Sequence, residues 1–544
     1  MCIRDRSIDN KYRSPSSIGA VGHEVKNLVR SWPDSDDVRQ WLITPRSDLV
    51  AESDISDQSP KDSAQLAVFE QSAGPFTTYR RIVSVSTNPP TLTETTNYQV
   101  LIPWFSWLFG RLIHRSIKGR KLGAEPQQQP KWAPPDRLTP RQIHVLGLLA
   151  AASLLSAFVN TLFTQTVAFA GDDLGVGDWG RGIAGTVVRV GIVLGLPAAL
   201  LADRIGRRRV VICLAWAAPI IASLGAIAPN FQLLVATQTM GRPLGLALDL
   251  LIAVIATEEM PRNSRAYAIS ILAMANGMGA GVAVMALPLA DLADNGWRLI
   301  YVITLVWLVV AFDLTRRLPE TQRFEFHQRD TEAVAIPPLR RKRLVIQMAV
   351  AFFGNMLLSP ASFFQNSFLK DERGFSAGMV AVFSLSTATP AVIGLIIGAR
   401  IADQRGRRLL AAVCAPIGGL LIALSFWASG GWMWAAAIFG GIIAATAYPP
   451  LAVYRTELFP TGNRGRAAFL ILASALIGGS LSLLLTGWFV DGGTHYGPIM
   501  LALVIGPVIV ALIVLLTYPE TAHRELEELN PEDHAAFDQP EIES

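Results

Sequence analysis

The sequence predicts an all-α membrane protein in which twelve transmembrane helices form two pseudo-symmetric six-helix bundles behind a polar N-terminal extension. The first reason is composition. The 544 residues are 51% hydrophobic and only 17% charged, whereas soluble domains carry about 25% charged residues. The second reason is a series of long apolar segments after residue 142. The third is a set of turn motifs that recurs at an offset of 199 or 200 residues.

Twelve apolar segments are long enough to cross a bilayer, which takes about 20 helical residues at about 1.5 Å per residue. They are 143–166, 182–202, 210–228, 231–257, 266–290, 298–315, 344–365, 376–399, 409–428, 432–454, 467–490 and 497–518. We expect one bundle over 143–318 and a second over 344–518, joined by a basic loop at 319–343. An acidic cytoplasmic tail is expected at 519–544.

Lysine and arginine are concentrated in the turns at one end of the predicted bundles, which we call the basic end. The turns at the opposite end hold little more than Arg181, Arg298, Lys370 and Arg373. Positively charged loops stay on the cytoplasmic side of a membrane. The sequence therefore predicts a multi-pass protein of the cell membrane, inner or plasma, with both termini in the cytoplasm.

Three short motifs recur in the same order in the two halves. They are Asp-x-x-Gly-Arg-Arg at 203–208 and 403–408, Glu-x-x-Pro-x-x-x-Arg at 258–265 and 457–464, and Pro-Glu-Thr at 319–321 and 519–521. This order indicates an internal duplication. The residues expected to act in these turns are Asp203, Gly206, Arg207, Arg208, Glu258, Arg265, Asp403, Gly406, Arg407, Arg408, Glu457 and Arg464.

With these two halves, basic turns and motifs, residues 140–525 resemble the major facilitator superfamily. The loop signature of that family, Gly-x-x-x-Asp-Arg-x-Gly-Arg-Arg, is present at 199–208 with Ala199 in place of the leading glycine. The other two motifs look like those of the sugar-porter and organic-anion symporter branches. The resemblance implies a secondary transporter in which the two halves rock around a central site.

The resemblance also implies that the basic turns act as a conformational switch. Asp203 would face a helix N-terminus of the other half, where a carboxylate is stabilised by about 0.3–1 kcal/mol. Arg207 and Arg208 would pair with Glu258 or with carboxylates of the second half. We expect such contacts only when the basic end is closed. The alternative is a tight turn whose charges serve only to orient the chain in the membrane.

Three charged residues lie inside predicted spans, where charges are costly and are functional candidates by default. Arg189 is in the second span, and Arg242 and Asp249 are in the fourth. The duplication does not repeat them, since the residues at equivalent positions in the second half are Thr389, Gly441 and Tyr448. They are therefore candidates for the particular function of this chain.

We expect Asp249 to carry a coupling proton, because a carboxylate in a dry site can bind and release one. Arg189 and Arg242 would hold an anionic group of the substrate, since guanidinium matches carboxylate geometry. The alternative is a structural Arg–Asp pair that locks the second and fourth helices. Sugar–proton symporters carry an aspartate in the first helix, where this chain has Asn160.

Other polar residues within the spans are either cavity-lining candidates or partners in hydrogen bonds between helices. They are Asn160, Gln165, Asn276, Asn355, Gln365, Asn366 and Tyr448.

The extension before residue 143 has a different composition from the rest. We expect residues 1–75, rich in Ser, Asp and Pro, to be disordered, and residues 76–142 to form a cytoplasmic β-hairpin, a basic helix and a linker. Phe76–Ser86 and Thr91–Val100 read as the two strands. The aromatic and basic segment at 102–121 is either a helix on the inner membrane surface or the last helix of a small soluble domain.

The sequence contains no phosphate-binding loop, no Gly-x-Ser-x-Gly and no metal-ligand spacing, so we expect neither an enzyme nor a cofactor. The expected function is proton-coupled secondary transport of a small organic solute, with an organic anion as first candidate. Efflux of drugs or metabolites, and a non-transporting sensor or scaffold, are the alternatives. The expected partners are the solute, protons and the lipid bilayer, not nucleic acid, and the expected state is a monomer.

Overall fold

The computed structural model describes residues 26–56, 64–87, 90–119, 130, 132–195, 197, 201–202, 205–261, 264–320, 340–459 and 464–520. The chain divides into two compact units. The N-terminal unit comprises Met1–Gly147 with Met260–Tyr267, and the membrane unit comprises Leu148–Glu259 with Ala268–Ser544.

The N-terminal unit contains a five-stranded antiparallel sheet and two helices. Its elements are β1 (Lys26–Pro33), α1 (Asp36–Ile43), β2 (Ala51–Asp54), β3 (Gln65–Ala73), β4 (Phe76–Thr87), β5 (Pro90–Val100) and α2 (Ser106–Lys118). The strand order is β1-β5-β4-β3-β2. The two predicted strands are present as β4 and β5, at the centre of this sheet.

The prediction of disorder over residues 1–75 is wrong for 26–56 and 64–75, which contain three strands and α1. β1 and β2 are edge strands with polar sequences and bury little side-chain surface. This explains why the sequence pattern did not predict them as strands. β1 pairs with β5, so that Lys26 lies opposite Tyr98. Pairing between residues so far apart in sequence leaves no local signal of the kind that periodicity provides.

The two helices pack on apolar side chains of the sheet. Around α1, Val38 and Leu42 join a core cluster that includes Phe69, and around α2, Ile113 and Ile117 join one with Phe76, Tyr79 and Tyr98. The helix at 106–118 is therefore packed by one face into a folded unit.

A buried ion pair adds to this sheet. The guanidinium of Arg81 lies 2.6 Å from Glu52, and both side chains are fully buried. The Tyr79 hydroxyl donates to the other oxygen of Glu52 at 2.6 Å. Burial, with the negative charge of Glu52 beside it, holds the pKa of Tyr79 well above its ordinary value. Loss of either partner would leave an uncompensated charge in the core.

All the regular elements described in the membrane unit, and in the segment that leads into it, are helices. The helices are α3 (Pro140–Asp173), α4 (Asp178–Val190), α5 (Arg207–Ser223), α6 (Phe231–Glu259), α7 (Arg265–Met285), α8 (Trp297–Arg317), α9 (Arg341–Phe363), α10 (Ala377–Ala402), α11 (Arg408–Ser425), α12 (Gly430–Glu457), α13 (Arg464–Asp491) and α14 (Tyr496–Thr517).

Eleven helices in the described part of the chain are long and apolar enough to cross a membrane, and each corresponds to a predicted span. The remaining predicted span, 182–202, contains α4. Its α-helix ends at Val190 and gives way to a 3₁₀ turn at Gly191–Gly195. A 3₁₀ segment inside a longer helix often marks strain or a hinge.

Candidate functional site

The 3₁₀ turn after α4 packs closely against α6. A Cβ at Gly191 would lie 2.6 Å from Thr239 Cγ2, and one at Gly195 would lie 2.7 Å from the carbonyl oxygen of Pro243. Two small residues four apart allow membrane helices to approach each other at this distance. This packing places Arg189, two residues before Gly191, beside the segment of α6 that carries Arg242.

Arg189 and Arg242 form a cationic pair between α4 and α6. The close packing of Gly191 on Thr239 and of Gly195 on Pro243 brings the two guanidinium groups near enough for their like charges to repel each other. Arg189 donates through Nη1 to the hydroxyl of Ser359 in α9, whereas Arg242 Nε is buried and has no hydrogen-bond partner. Within the described ranges, neither arginine has an ion pair with a carboxylate. Two partly buried like charges without a counter-charge are unfavourable, so the site is suited to an anion.

Arg189 also lies at the boundary of a contact between the two halves, formed by α4 and α13. Nearest the opposite end, the carbonyl oxygen of Asp178 lies close to Gly487, and Gly182 lies close to the carbonyl of Leu483. Further inward, the Thr186 hydroxyl donates to the carbonyl of Ser480 at 3.2 Å. The last contact is that of Arg189 Nη1 with Gly479. A side chain at Gly479 would meet the Arg189 guanidinium, since its Cβ would lie 2.6 Å from Nη1. The cationic pair thus adjoins the second half.

Asp249 lies in a separate polar cluster between α3, α6 and α7. The Ser153 hydroxyl and the Asn276 amide donate to Asp249 Oδ1 at 3.3 Å and 3.2 Å. The alternative of an Arg–Asp pair that locks the second and fourth helices is not observed among the described residues, since neither Arg189 nor Arg242 pairs with Asp249. For Arg242 the reason is geometric: residues seven apart on one helix lie about 10 Å apart along its axis.

Asn160 belongs to the same region of the first half. Its amide donates to the Ser156 hydroxyl at 3.2 Å, and that hydroxyl donates to the carbonyl of Gly245 at 2.7 Å. The Asn160 Oδ1 atom is buried and has no hydrogen-bond partner. Asn160 and Asn276 therefore lie in the polar region between helices of the first half that also contains Asp249.

A group of charged residues and one serine, which we call the opposite-end cluster, joins the two halves at the opposite end. Its members are Asp172, Asp178 and Arg181 of the first half and Ser367, Lys370 and Asp371 of the second. Arg181 is only 4% exposed. Its Nη1 lies 3.3 Å from Asp178 and 3.1 Å from Asp371, and its Nη2 pairs with Asp172, which also pairs with Lys370.

Further hydrogen bonds reinforce this contact between the halves. They run from the Tyr496 hydroxyl to Asp178 at 2.7 Å, from the N–H groups of Ala377 and Gly378 to Asp291 at 2.8 Å each, and from the Asn366 amide to Gln165 Oε1 at 2.9 Å. Gln165 and Asn366 are thus bonded to each other across the halves. The opposite end is closed in this structure.

The other predicted polar residues do not gather at one site. Gln365 donates to the Ser384 hydroxyl at 3.0 Å, and Asn355 donates to the carbonyl of Ala351 one turn earlier at 3.0 Å. Tyr448 is 59% exposed. In the described structure, none of these three residues contacts Arg189, Arg242 or Asp249 through a hydrogen bond or ion pair.

At the basic end, the motifs contact one another within each half. Arg207 pairs with Glu258, a contact between two helices of the first half. The expectation that such a pair needs the basic end to be closed therefore does not hold for Arg207 and Glu258. Arg265 lies 3.5 Å from the carbonyl of Met260. Asp203 lies outside the described residues, as do the side chains of Asp403, Glu457 and Arg464.

The glutamate of each Pro-Glu-Thr motif accepts hydrogen bonds from the helix start of the Asp-x-x-Gly-Arg-Arg motif. Glu320 accepts from the Arg208 N–H at 3.1 Å. Glu520 accepts from the N–H groups of Arg407 and Arg408 at 2.9 Å and 3.1 Å. A carboxylate at a helix N-terminus satisfies free donors and the helix dipole. This contact explains why the two motifs recur together.

The glycine of the same motif has a positive φ in both halves, 102° at Gly206 and 105° at Gly406. At Gly406 a Cβ would also lie 2.8 Å from Glu520 Oε2. We expect Gly406→Ala to destabilise the folded protein by about 1–3 kcal/mol through backbone strain, and to displace Glu520. A lower apparent unfolding temperature in detergent would check this.

Gly431→Ala is the matched control, because nothing lies within 4 Å of a Cβ at Gly431. An unfolding temperature for Gly406→Ala equal to that of this control would contradict the account of the turn.

Sequence reasoning missed the opposite-end cluster and the capping role of Glu320 and Glu520. A signal for the cluster was present in the charges of the Asp172–Arg181 and Lys370–Arg373 segments, which are concentrated where other loops carry few. Ser359 gave no such signal, because an isolated serine in an apolar segment is common.

The two helical halves carry the same turn motifs, are joined across one end and hold charged groups inside. These features define a multi-pass membrane transport protein. The chain belongs to the Major Facilitator Superfamily, whose sequence model matches residues 149–430 and, in a second match, 344–539. This confirms the resemblance drawn from the motifs. The chain is accordingly a membrane transporter and not an enzyme.

Individual relatives are distant. The chain is 25% identical over 366 residues to the minor myo-inositol transporter IolF of Bacillus subtilis (strain 168), which covers 63% of this chain and 82% of that protein. The inward-open xylose transporter XylE from E. coli has a TM-score of 0.59 at 15% identity, covering 72% of this chain and 99% of that one. The nucleoside transporter NupG has a TM-score of 0.58 at 12% identity, covering 69% and 100%.

Proposed function

We propose that this chain is a secondary active transporter that carries a small organic anion by alternating access and couples the movement to protons. In this proposal twelve helices span the cell membrane, both termini are cytoplasmic, and a single chain is the working unit. The observation that carries it is the cationic pair of Arg189 and Arg242, which has no carboxylate partner among the described residues.

The position of the pair supports a substrate site. Arg189 is 11 residues from the start of α4 and Arg242 is 11 residues from the start of α6, so each lies about 16 Å from the opposite end at about 1.5 Å per residue. Transporters of this architecture bind substrate near the midplane, between their repeats. An acid group there would receive charge-assisted hydrogen bonds from both arginines.

The opposite-end cluster supports alternating access. Its ion pairs and hydrogen bonds join the two halves on the side that the positive-inside rule assigns to the exterior. The structure then corresponds to the state closed to the outside. Exchange to the other state would break these contacts while Arg207–Glu258 and the Glu320 and Glu520 caps, which lie within single halves, are kept. The expected switch role of Asp203 belongs to the same proposal.

Transport of a neutral polyhydroxylated solute is the second candidate. It is favoured by the inositol and xylose named for the similar proteins. A hydroxylated acid would combine the two features, since its hydroxyl groups would suit polar side chains such as Ser359 while its acid group would suit the arginines.

The proposal is tested by uptake into proteoliposomes that contain the purified protein and have an alkaline interior. The solutes are chosen as matched pairs that differ in one acid group, such as glucuronate with glucose, beside myo-inositol, xylose and a nucleoside. We expect accumulation of the acids and competition by unlabelled acids. Faster uptake of the neutral member of each pair would overturn the anion assignment. Absence of uptake, efflux and counterflow for every solute would favour the sensor or scaffold alternative.

Asp249→Asn separates proton coupling from substrate binding in the same vesicles. Asparagine has nearly the same shape but cannot bind and release the proton, so accumulation driven by the pH gradient should disappear while counterflow exchange continues. Asp313→Asn is the control, because Asp313 is engaged with Arg317 one turn away on α8 at 2.9 Å. Undiminished pH-driven accumulation in Asp249→Asn would show that the coupling proton is carried elsewhere.

A further inference from the structure

Helix α2 of the N-terminal unit has two unlike faces. Ile113 and Ile117 are fully buried against the sheet. On the side away from the sheet, Trp107 is 67% exposed and Leu112 is 37% exposed. Large exposed apolar side chains of this kind mark a surface that contacts something other than water.

The exposed face is also strongly basic. Arg111, Arg115 and Lys118 are exposed and continue from Trp107 along one side of the helix, and α2 contains no acidic residue. The pKa of His114 is lowered by burial and by the charges of Lys26, Lys118 and Arg30, which reflects the positive potential around the helix. A face of this charge is complementary to anionic lipid headgroups and not to an apolar groove.

The segment before α2 contacts the start of the first transmembrane helix. A Cβ at Gly147 in α3 would lie 2.6 Å from Pro103 Cδ. Trp104 follows and is 40% exposed, with a φ of 64°, the one non-glycine residue with positive φ in the described part of the chain. α3 has 34 residues and is therefore about 50 Å long, longer than the roughly 30 Å hydrocarbon core. The difference in length leaves room for its first turns, which carry Arg141 and His144, to lie at the depth of the headgroups.

We propose that the exposed face of α2 lies on the membrane surface, with Trp104 and Trp107 at the level of the headgroups and Arg111, Arg115 and Lys118 on the phosphates of anionic lipids. Tryptophan is the side chain that collects at this interface, because its ring is apolar and its N–H is polar. This inference does not depend on which solute is transported.

The test measures membrane depth in the full-length protein in lipid nanodiscs. The three cysteines, Cys2, Cys213 and Cys414, are replaced, and a spin label is attached at Trp107→Cys or, as control, at Gln40→Cys on the exposed side of α1. In discs with anionic lipid we expect the label at 107 to be several-fold more accessible to oxygen than to a water-soluble nickel chelate. The label at 40 should show the reverse.

Charge reversal tests the electrostatic part. With Arg111→Glu, Arg115→Glu and Lys118→Glu together, the label at 107 should become several-fold more accessible to the chelate. If the triple variant fails to fold, a salt titration of the protein with native charges replaces it, because salt near 1 M shortens the Debye length to about 3 Å. Equal accessibility at 107 and 40, no response to charge or salt, or a label at 107 shielded from both reagents would overturn the proposal. The last result would indicate a protein contact.

Discussion

Arg242→Gln is expected to lower kcat/KM for uptake of the anionic solute by roughly 100-fold, without loss of the folded protein. Truncating one partner of a buried, hydrogen-bonded charge pair costs about 2–5 kcal/mol, and about 3 kcal/mol corresponds to a factor of somewhat more than 100. Because the free protein already holds Arg242 Nε without a hydrogen-bond partner and near the charge of Arg189, its removal should leave thermal stability unchanged or raise it.

The same measurement on Arg189→Gln should show a loss of similar size, and the double variant should lose less than the product of the two, because both groups bind one anion. Arg242→Lys keeps the charge and loses the planar fork, so it should recover only part of the activity. Arg316→Gln, on an exposed arginine that stacks on Phe312, is the control. Normal transport of the acid in Arg242→Gln, with neutral solutes equally unaffected, would remove the basis for an anion site.

Arg181→Ala is expected to have the largest effect on the conformational equilibrium. Arg181 is almost fully buried among three carboxylates, those of Asp172, Asp178 and Asp371, and it bridges the two halves. Its loss leaves these negative charges facing each other. Asp172 and Asp371 are more than a third exposed, so solvent screening reduces the effect. If the state with the closed opposite end is destabilised by about 2 kcal/mol, the ratio of the closed to the open state falls roughly 30-fold.

Spin labels at Ile227→Cys and Trp432→Cys would report this shift as a longer distance between the halves at the opposite end, since both sites are highly exposed, at 75% and 81%. Arg298→Ala is the matched control. Arg298 lies at the same end but bonds within the first half, to the carbonyls of Ala226 and Ala228 at 3.0 Å and 2.8 Å. If both variants give the distance distribution of the original chain, the opposite-end cluster does not hold that end closed.

The sequence alone was sufficient to predict a helical membrane fold and the duplication of its turn motifs. Hydrophobic length is a local property, so predicted spans and observed helices correspond for eleven segments. The recurring turns were also readable, because Gly206 and Gly406 supply a backbone conformation that other residues rarely adopt. For the twelfth predicted span, 182–202, the described residues show α4 followed by a 3₁₀ turn at Gly191–Gly195 that packs closely on α6.

The roles of the intramembrane charges were decided by tertiary structure. Arg242 and Asp249 share a helix, and sequence spacing left a mutual ion pair open. In the fold, the packing of the 3₁₀ turn on α6 places Arg189 beside the segment that carries Arg242, whereas Asp249 accepts hydrogen bonds from Ser153 and Asn276. Partners of a buried charge come from neighbouring helices, and which helices are neighbours depends on contacts such as Gly191 with Thr239 that join residues far apart in the chain.

In the N-terminal unit and in the opposite-end cluster, too, local sequence predicted some features and long-range packing decided the others. Periodicity located β4 and β5, but β1 acquires its structure from β5, some 70 residues later. The charges at the opposite end were visible in the sequence, yet only the fold brings Arg181 of one half to Asp371 of the other. Local hydrophobicity determined the transmembrane helices of this protein, and long-range packing decided which of its charges meet.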